Sequence, residues 1–516
     1  MEEMKVKQSH FIYWASGIVS ICGIIFEVLF GALGSYILGD GVKQYTLTIS
    51  LFLTGMGIGA SLSEKVTKNL VLSFIYIEFF VALIGGFSSF LMFGATAFFS
   101  SGTDALFLYS ITLIVGALTG VELPILIRKA NEIGVTLQKS TARVLFSDYA
   151  GGLIGGLLFV FLLRPQLGMV TSAFLVGLVN LMVALVVLYL FRKEILKKGL
   201  HILVGGVIAV FLIGGLFFGE SIALSFEEKL YKDPIIHLEE SKYQKIVITK
   251  QDQDIRLYLN GALQLSSIDE HRYHEVLVHP TIANTESPEK VLVLGGGDGM
   301  AVRELLKYPE IKDITLVDLD PAVVQLANTN PHLRELNENA LEDERVDVVH
   351  RDAFQYLENS EEWFDAIIVD LPDPNNESLN KLYTKEFYSL VRNHLNPSGT
   401  AMVQATSPVF AREVYWLISN TIAATGLHVE NLHVDIPSFG NWGFVMASRE
   451  TIDLEKLNIT AETNYLENEL LESLSIFGKD EDNNIFDKNG DKKEIGVNTL
   501  IDPNLIPLYE NSWQYY

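Results

Sequence analysis

The sequence has a single cysteine, and its second half has far fewer basic than acidic residues. Cys22 is the only cysteine among 516 residues, which excludes an intramolecular disulfide and a cysteine-rich metal site. Up to Glu220 the chain has 14 Lys and Arg against 12 Asp and Glu, and beyond it 24 against 51. Nucleic-acid binding needs clustered basic side chains to neutralise phosphates. We therefore expect no nucleic-acid partner, while the acidity fits either a polycationic ligand or a surface kept soluble by charge.

The first half contains long apolar runs, each close to the roughly 20 residues that a transmembrane helix needs. There are seven, at 11–37, 45–62, 70–93, 105–127, 144–163, 170–191 and 200–218. We expect residues 1–220 to form a multi-pass transmembrane domain of about seven helices. With a cytosolic amino terminus, nearly all basic loop residues lie inside, as the positive-inside rule favours. Seven crossings would then place the second half of the chain outside the cell. The charge rule and the number of apolar runs therefore do not decide on which side of the membrane the second half lies.

Four acids interrupt these runs, namely Glu27, Glu78, Glu122 and Asp148. Each would be destabilising by several kcal/mol if it faced lipid, so each should face the interior of the bundle. Two interpretations stay open for them. They form a site or path for a cation such as a polyamine, or they are a polar network that joins helices.

The second half changes to short elements. Residues 242–266 alternate apolar and polar positions around Asn260-Gly261, which predicts a small β-meander. With a helix over 269–280, it makes a small domain at 231–285. From 286 to 450, strands alternate with helices, which predicts a doubly wound, Rossmann-like (class I methyltransferase-like) parallel sheet with a ligand at the carboxyl ends of its strands. Residues 451–516 are an acidic extension in which we expect a helix at 462–476.

A glycine-rich turn follows the first strand of this sheet, and acids follow the next three. Gly295-Gly-Gly-Asp-Gly299 separates a buried strand from a helix, as in nucleoside-binding proteins. Asp318, about 20 residues further on, is placed to take ribose hydroxyls, and Asp352 can accept from an adenine amine. Asp370 and Asp373 follow the fourth strand. Asp318 and Asp352 could instead only cap the helices that follow them.

Several short motifs together resemble the spermidine synthases, the polyamine aminopropyltransferases, over roughly residues 241–448. With apolar runs in front, the chain is similar to their multi-pass bacterial branch. The motifs are Gly295–Gly299, Tyr243-Gln244, Tyr273-His274-Glu275, Val317-Asp318-Leu319-Asp320, Arg351-Asp352-Ala353 and Asp370-Leu-Pro-Asp-Pro374.

The resemblance implies roles for individual residues. Asp370 would be the proton acceptor, the catalytic residue, while the side chains that meet amine groups would be His274, Asp298 and Asp373. The donor nucleoside, decarboxylated S-adenosylmethionine or its methylthioadenosine product, would be held by Gln244, Gly295, Gly297, Asp318, Asp352 and Ala353. Asp298 should attract the ammonium of that donor and repel the carboxylate of ordinary S-adenosylmethionine. The segment 375–379 departs from the family pattern and leaves the amine acceptor open.

The resemblance therefore implies transfer of an aminopropyl group from decarboxylated S-adenosylmethionine, a co-substrate, to a diamine such as putrescine. We expect no permanently bound cofactor and no metal, because His271, His274 and His279 lack a spacing such as H-E-x-x-H. Membrane lipid and a second copy of the chain are the other expected partners. A cytosolic catalytic half is favoured on chemical grounds. Two other functions stay open, an S-adenosylmethionine-dependent methyltransferase and a non-enzymatic polyamine sensor or transporter.

Overall fold

The structure is a computed structural model that describes residues 2–38, 41–98, 103–133, 135–227, 229, 231, 233–486 and 490–513. Contacts between residues divide the chain into two compact units, Met1–Lys232 and Asp233–Tyr516. The boundary falls where the long apolar runs give way to short alternating elements. Each unit is described separately below.

The first unit is a bundle of helices. They are α1 (Glu2–Leu38), α2 (Gly41–Leu62), α3 (Leu70–Phe98), α4 (Thr103–Glu132), α5 (Leu137–Leu158), α6 (Arg164–Leu190) and α7 (Lys198–Glu227). A π-helical turn at Phe159–Leu163 joins α5 to α6, so that 137–190 forms one helical stretch of 54 residues with a break at Gly168, where φ is 67°. The described part of the chain therefore has six helices long and apolar enough to cross a membrane.

Two features of this bundle are typical of helices that pack in lipid. Glycines bring helices together: a Cβ on Gly151 of α5 would overlap the carbonyl oxygen of Gly17 on α1, and one on Gly120 of α4 would overlap α2. Large apolar side chains also point outward. Phe146 and Phe217, for example, are 76% and 73% exposed, far more than a water-facing surface usually tolerates in a continuous band.

The second unit begins with a small antiparallel sheet and a helix. Its strands are β1 (Ile235–Glu240), β2 (Lys245–Gln251), β3 (Asp254–Leu259) and β4 (Ala262–Ser266), in that order, and α8 (Glu270–Ala283) follows. Asn260 and Gly261 both have positive φ, at 50° and 82°, as a type I′ hairpin turn requires. The predicted meander is confirmed, with β1 as an additional strand.

The main sheet has seven strands in the order β10-β11-β9-β8-β5-β6-β7. The strands are β5 (Lys290–Gly295), β6 (Asp313–Asp318), β7 (Val346–His350), β8 (Phe364–Asp370), β9 (Leu395–Gln404), β10 (His428–Ile436) and β11 (Gly440–Ser448). The first five are parallel, and β11 is antiparallel to both of its neighbours, β9 and β10. Alternate residues of β5 enter two apolar clusters, one on each face. The predicted Rossmann-like class is confirmed.

Helices cover both faces of this sheet. They are α9 (Met300–Leu306), α10 (Pro321–Thr329), α11 (Pro331–Leu336), α12 (Ala353–Asn359), α13 (Glu377–Asn380), α14 (Lys385–His394), α15 (Arg412–Ala423) and, in the acidic extension, α16 (Leu505–Trp513). Because β5 is continued on one side by β6 and on the other by β8, the strand order reverses between β5 and β8. A crevice at such a reversal is where ligands bind in sheets of this kind.

The helix predicted at 462–476 is wrong. The structure has only short 3-10 turns there, at Asn468–Leu470 and Glu472–Ser475. The buried carboxylate of Glu275 on α8 accepts backbone N–H groups of Asn464, Tyr465 and Leu466 at 2.6–2.8 Å. These N–H groups donate to a side chain and not to helical carbonyls, and the extension is thereby fixed to α8 of the second unit.

Candidate active site

The glycine turn lies at the reversal of strand order, directly beside the fourth parallel strand. Gly295 pairs with Asp370 in the ladder between β5 and β8. Its φ is +83°, and a Cβ there would overlap the carbonyl oxygen of Asp370. Only glycine combines this backbone conformation with so close an approach. The turn and Asp370 therefore meet at one edge of the sheet, as the sequence predicts.

Asp318 lies against the other side of the turn. Its Oδ2 accepts from the backbone N–H of Gly297 at 3.0 Å, and its Oδ1 accepts from that of Asp320 at 2.8 Å. A Cβ on Gly297 would come within 2.5 Å of the Asp318 carboxylate. Burial raises the pKa of Asp318 to about 6, although both backbone hydrogen bonds oppose the rise. Asp318 thus faces the turn and does not cap α10, which is capped by Asp320.

Asp298 lies inside the turn and is buried. Its Oδ1 accepts from the N–H of Met300, the first residue of α9, at 2.9 Å. Its backbone carbonyl accepts from the amide of Asn337 at 2.9 Å. The side chain therefore has a fixed position at the start of a helix, where the partial positive charge of the helix favours a carboxylate.

The carboxyl of Asp370 lies in a polar group of side chains. The Tyr273 hydroxyl of α8 donates to its Oδ1 at 2.6 Å. Burial in the crevice raises the pKa of Asp370 to about 6, and the charge of His274 opposes this rise. The charges of Asp298 and Asp318 add to it, whereas the Tyr273 hydrogen bond lowers it. Asp370 is thus a buried carboxyl whose pKa is raised above its ordinary value.

Asp373 follows on the loop after β8 and receives donors from two distant segments. Its Oδ2 accepts from the hydroxyls of Thr406 and Tyr509, each at 2.9 Å, and Gln404 Nε2 lies 3.4 Å from its Oδ1. Burial raises the pKa of Asp373 to about 6, and the three hydrogen bonds limit the rise. Asp373 is therefore held in one orientation by two hydroxyl groups and one amide.

His274 lies behind these acids and belongs to a buried ionic network. Its Nδ1 lies 2.8 Å from Oε2 of Glu270. The two terminal nitrogens of Arg303 donate to the two carboxylate oxygens of Glu270, each at 2.9 Å. Burial disfavours the charged imidazole, but the hydrogen bond and charge of Glu270 outweigh it and raise the pKa of His274 to about 9. Asp298 and Asp370 contribute to the same rise. The charge of His274 in turn lowers the pKa of Asp370.

The other two histidines of α8, His271 and His279, also lie beside carboxylates. His271 Nδ1 lies 3.2 Å from Glu270. His279 contacts Glu304 and the Tyr308 hydroxyl, each at 2.9 Å, in the interior. Their rings therefore serve the packing of α8 against α9.

The remaining residues predicted to contact the nucleoside lie at the ends of neighbouring elements. Asp352 follows β7 and caps α12, accepting from the N–H of Gln355 at 3.0 Å, while Lys381 contacts its other oxygen at 2.6 Å. Asp352 thus lies at the end of a strand, as predicted, and also caps the following helix. Ala353 is the buried first residue of α12.

Gln244 lies in the turn before β2. Its N–H donates to the Ser241 hydroxyl at 3.0 Å, and that hydroxyl donates to Asp320 at 2.6 Å. This chain of contacts connects the small sheet to the loop that follows Asp318.

Three hydroxyl groups that contribute to the site were not predicted. Tyr273 belongs to one of the sequence motifs, but no role was predicted for it. Thr406, just beyond β9, has a positive φ of 58°. Such a strained backbone conformation is common at functional sites. Tyr509 gave no local signal, since it lies 136 residues after the Asp373 that it contacts.

Comparison with known proteins identifies the family. The spermine/spermidine synthase domain family matches residues 270–457. A polyamine aminopropyltransferase of Oceanobacillus iheyensis is 71% identical over 516 residues, which cover 100% of both chains. One from Leptospira interrogans is 38% identical over 508 residues, 97% of this chain and 98% of the relative. A solved spermidine synthase in complex with the transition state analogue AdoDATO is 24% identical, with a TM-score of 0.45, over 47% of this chain and 85% of its own.

Both relatives match across the helical bundle as well as the sheet, so the likeness is not confined to the nucleoside-binding part. Of the functions that the sequence left open, aminopropyl transfer is the one that these relatives share. The chain belongs to the polyamine aminopropyltransferases.

Proposed function

We propose that Asp370 and Asp373 carry out the acceptor chemistry of this enzyme. A neutral amine nitrogen attacks the methylene carbon next to the sulfonium of decarboxylated S-adenosylmethionine. The new C–N bond forms as the C–S bond breaks, the electron pair goes to sulfur, and methylthioadenosine leaves uncharged. The amine proton passes to Asp370. Because diamines are mostly protonated in water, a carboxylate within hydrogen-bond reach is what makes the attack feasible.

The observation that carries this proposal is the pair of acids after β8. Asp370 and Asp373 follow one strand at the reversal of the sheet, and burial raises the pKa of each to about 6. Asp370, next to the turn, is placed to receive the proton. Asp373, fixed by hydroxyl groups, is placed to hold the amine in line, which turns a bimolecular encounter into a positioned one.

In this proposal, Asp298 and the turn select the donor. Its carboxylate would attract the ammonium of decarboxylated S-adenosylmethionine and repel a carboxylate at the same place. A pair of unit charges at about 4 Å is worth roughly 4 kcal/mol in a medium of effective dielectric near 20. Gly295 and Gly297 would admit the nucleoside close to the backbone, with ribose hydroxyls on Asp318.

The rest of the nucleoside would lie against the loops that follow the neighbouring strands. Asp352 would accept from the adenine amine once Lys381 moves aside. Ala353 and Gln244 would border the base and the ribose, and His274 would hold the acids that meet the amine groups.

The test is release of methylthioadenosine by the purified full chain from decarboxylated S-adenosylmethionine and putrescine. Asp370→Asn keeps the shape of the side chain but cannot take up the proton, so we expect release to fall at least 100-fold. Asp347→Asn, on the exposed face of β7, is the matched control and should retain full activity. Undiminished release by Asp370→Asn would remove Asp370 from the mechanism.

The proposal extends to the setting of the enzyme. Residues 1–220 form a membrane anchor in the cell membrane, 231–285 and 286–450 form the small and the nucleoside-binding parts of a cytosolic catalytic half, and 451–516 form the acidic extension. The length and apolar composition of six helices support the anchor. The nucleoside donor, a cytosolic metabolite, supports the cytosolic side.

A further inference from the structure

Three polar side chains from three different helices meet inside the helical bundle. Asn180 of α6 donates its amide N–H to Oε2 of Glu78 on α3 at 2.7 Å. The carboxyl groups of Glu78 and of Glu122 on α4 lie within hydrogen-bonding reach of each other, but two carboxylates have no proton to share unless one is protonated. Glu78 and Asn180 are fully buried, and Glu122 is 6% exposed. We call these three residues the intrabundle cluster.

The intrabundle cluster has hydrogen-bond acceptors without donors. Glu78 Oε1, Glu122 Oε1 and Asn180 Oδ1 accept no hydrogen bond from any donor group among the described residues. Burying one such group without a donor is destabilising by about 1–3 kcal/mol, and more when it is charged. Three in one cluster point to a ligand that supplies donors.

The described part of the chain also gives the cluster no positive charge. The nearest basic residues along α4 are occupied elsewhere. Arg128 donates to the carbonyls of Pro124, Ser63 and Val66, and Lys129 pairs with Glu132 and Glu194. Further negative charge comes instead from Asp148 of α5, which acts electrostatically on Glu122. Two carboxyl groups in contact within an apolar bundle need a proton or another cation between them.

We propose that the intrabundle cluster binds a primary ammonium group, the end group of a diamine or polyamine. Such a group offers three N–H donors and one positive charge, which match three unpartnered oxygens and a shared negative charge. Ca²⁺ and Mg²⁺ take six or more oxygen ligands, and the cluster offers only these three oxygens; Zn²⁺ favours histidine and cysteine ligands, which the cluster lacks. The choice of an amine rests on the proposed function, whereas the need for a cationic donor does not.

The experiment measures the number of amines bound per chain. The full chain is purified in detergent micelles without amine buffers, and binding of radiolabelled putrescine is followed by equilibrium dialysis. We expect Glu122→Gln to bind one putrescine fewer than the wild type and to release methylthioadenosine within twofold of it at saturating amine. Glu132→Gln, the same change at the exposed end of α4, should bind as the wild type does.

A second variant guards against a folding defect. Asn180→Leu leaves both carboxyl groups in place and removes only the amide. We expect it to raise the Kd of putrescine at the intrabundle cluster at least tenfold. The experiment compares the number of putrescine molecules bound per chain in the wild type and in Glu122→Gln. If the catalytic half failed to bind amine, this number would fall equally in both proteins, and the wild type would still bind one putrescine more.

Three results would overturn the proposal. Equal stoichiometry in the wild type and Glu122→Gln would mean that only a proton joins the carboxyl groups. Full displacement of putrescine from the site by an equal concentration of potassium would mean an inorganic cation site. Equal displacement by tetramethylammonium, which has no N–H, would mean that charge alone is recognised.

Discussion

Tyr273 tunes the proposed proton acceptor through one hydrogen bond. The bond to Asp370 stabilises the ionised carboxylate and so lowers its pKa, which burial has raised to about 6. A base works only when ionised, so we expect kcat/KM to fall as the pH drops below about 6. Tyr273→Phe should move this acidic limb upward by about half to one pH unit, the equivalent of a hydrogen bond near 1 kcal/mol.

The measurement is the pH profile of kcat/KM for methylthioadenosine release. Tyr388→Phe is the control, since the buried Tyr388 hydroxyl has no hydrogen-bond partner among the described residues, and its limb should stay in place. A Tyr273→Phe enzyme that is slower at every pH with an unshifted limb would contradict this role.

Tyr509 acts on the acceptor side of the site. Its hydroxyl donates to Asp373 at 2.9 Å, and a hydrogen bond to a charged group is worth about 1.5–3 kcal/mol. We expect Tyr509→Phe to raise KM for the diamine about tenfold or more while leaving KM for the nucleoside donor unchanged. Tyr465→Phe, also in the acidic extension, where its ring lies over Arg272, serves as control. A rise in both KM values would show a general loss of structure instead.

At the scale of elements, α8 and α9 are joined by the ionic network beneath the site. Glu270 is 1% exposed and is shared by Arg303 and His274. Glu270→Gln removes the negative charge that His274 and Arg303 share, and Arg303 then keeps only Glu304 as an acidic partner. We therefore expect the free energy of unfolding of the catalytic half to drop by about 3–5 kcal/mol. Unfolding in denaturant, followed by near-ultraviolet circular dichroism, measures it. Glu289→Gln removes an exposed pair with Lys312 and should change stability by less than about 1 kcal/mol.

The pH dependence of this contribution follows from the low pKa. Hydrogen bonds and charges from His274 and Arg303 overcome the effect of burial and lower the pKa of Glu270 to about 2. An acid whose pKa is lowered in the folded state stabilises it above the unfolded pKa, near 4.3. The difference between Glu270→Gln and wild type should therefore persist at neutral pH and shrink as the pH falls from about 4 to 2. A difference that grew on acidification would contradict the assignment.

Sequence patterns predicted the elements whose residues interact locally. The buried run before Gly295 and the acids at the strand ends gave five parallel strands and most of the site, because hydrophobic period and turn chemistry are local properties. They missed β10, an edge strand rich in polar residues. They also predicted a helix at 462–476, where the backbone N–H groups of Asn464–Leu466 donate to Glu275 instead. Tyr509 could not be found this way, since its contact depends on the path of the whole chain.

At the scale of the whole molecule, the fifth helical stretch decides the orientation. If 137–190 crosses the membrane once, the count of six puts both ends of the helical unit on one side. If it crosses twice, through the break at Gly168, seven crossings put them on opposite sides. Basic residues in the loops favour a cytosolic amino terminus. With six crossings the catalytic half is then cytosolic, and with seven crossings it lies outside.

We expect the full chain to sediment with membranes, to resist extraction by alkaline carbonate and to dissolve in detergent. A tag fused after Tyr516, which lies outside the described residues, should be reached by protease in inside-out vesicles and protected in right-side-out ones. A tag inserted in the loop between α6 and α7, at a basic segment, reports the orientation of the bundle independently. Protection of the carboxyl-terminal tag in inside-out vesicles would place the catalytic half outside.

The contact between Tyr509 and Asp373 also affects how the enzyme is made. The two residues are separated by 136 positions, and ribosomes add about 5–20 residues per second. Asp373 therefore emerges roughly 7 to 27 s before the hydroxyl that orients it. During that interval the growing polypeptide already has its glycine turn and donor-side acids but lacks a finished acceptor side. Synthesis itself thus delays activity until the extension has been translated and has docked.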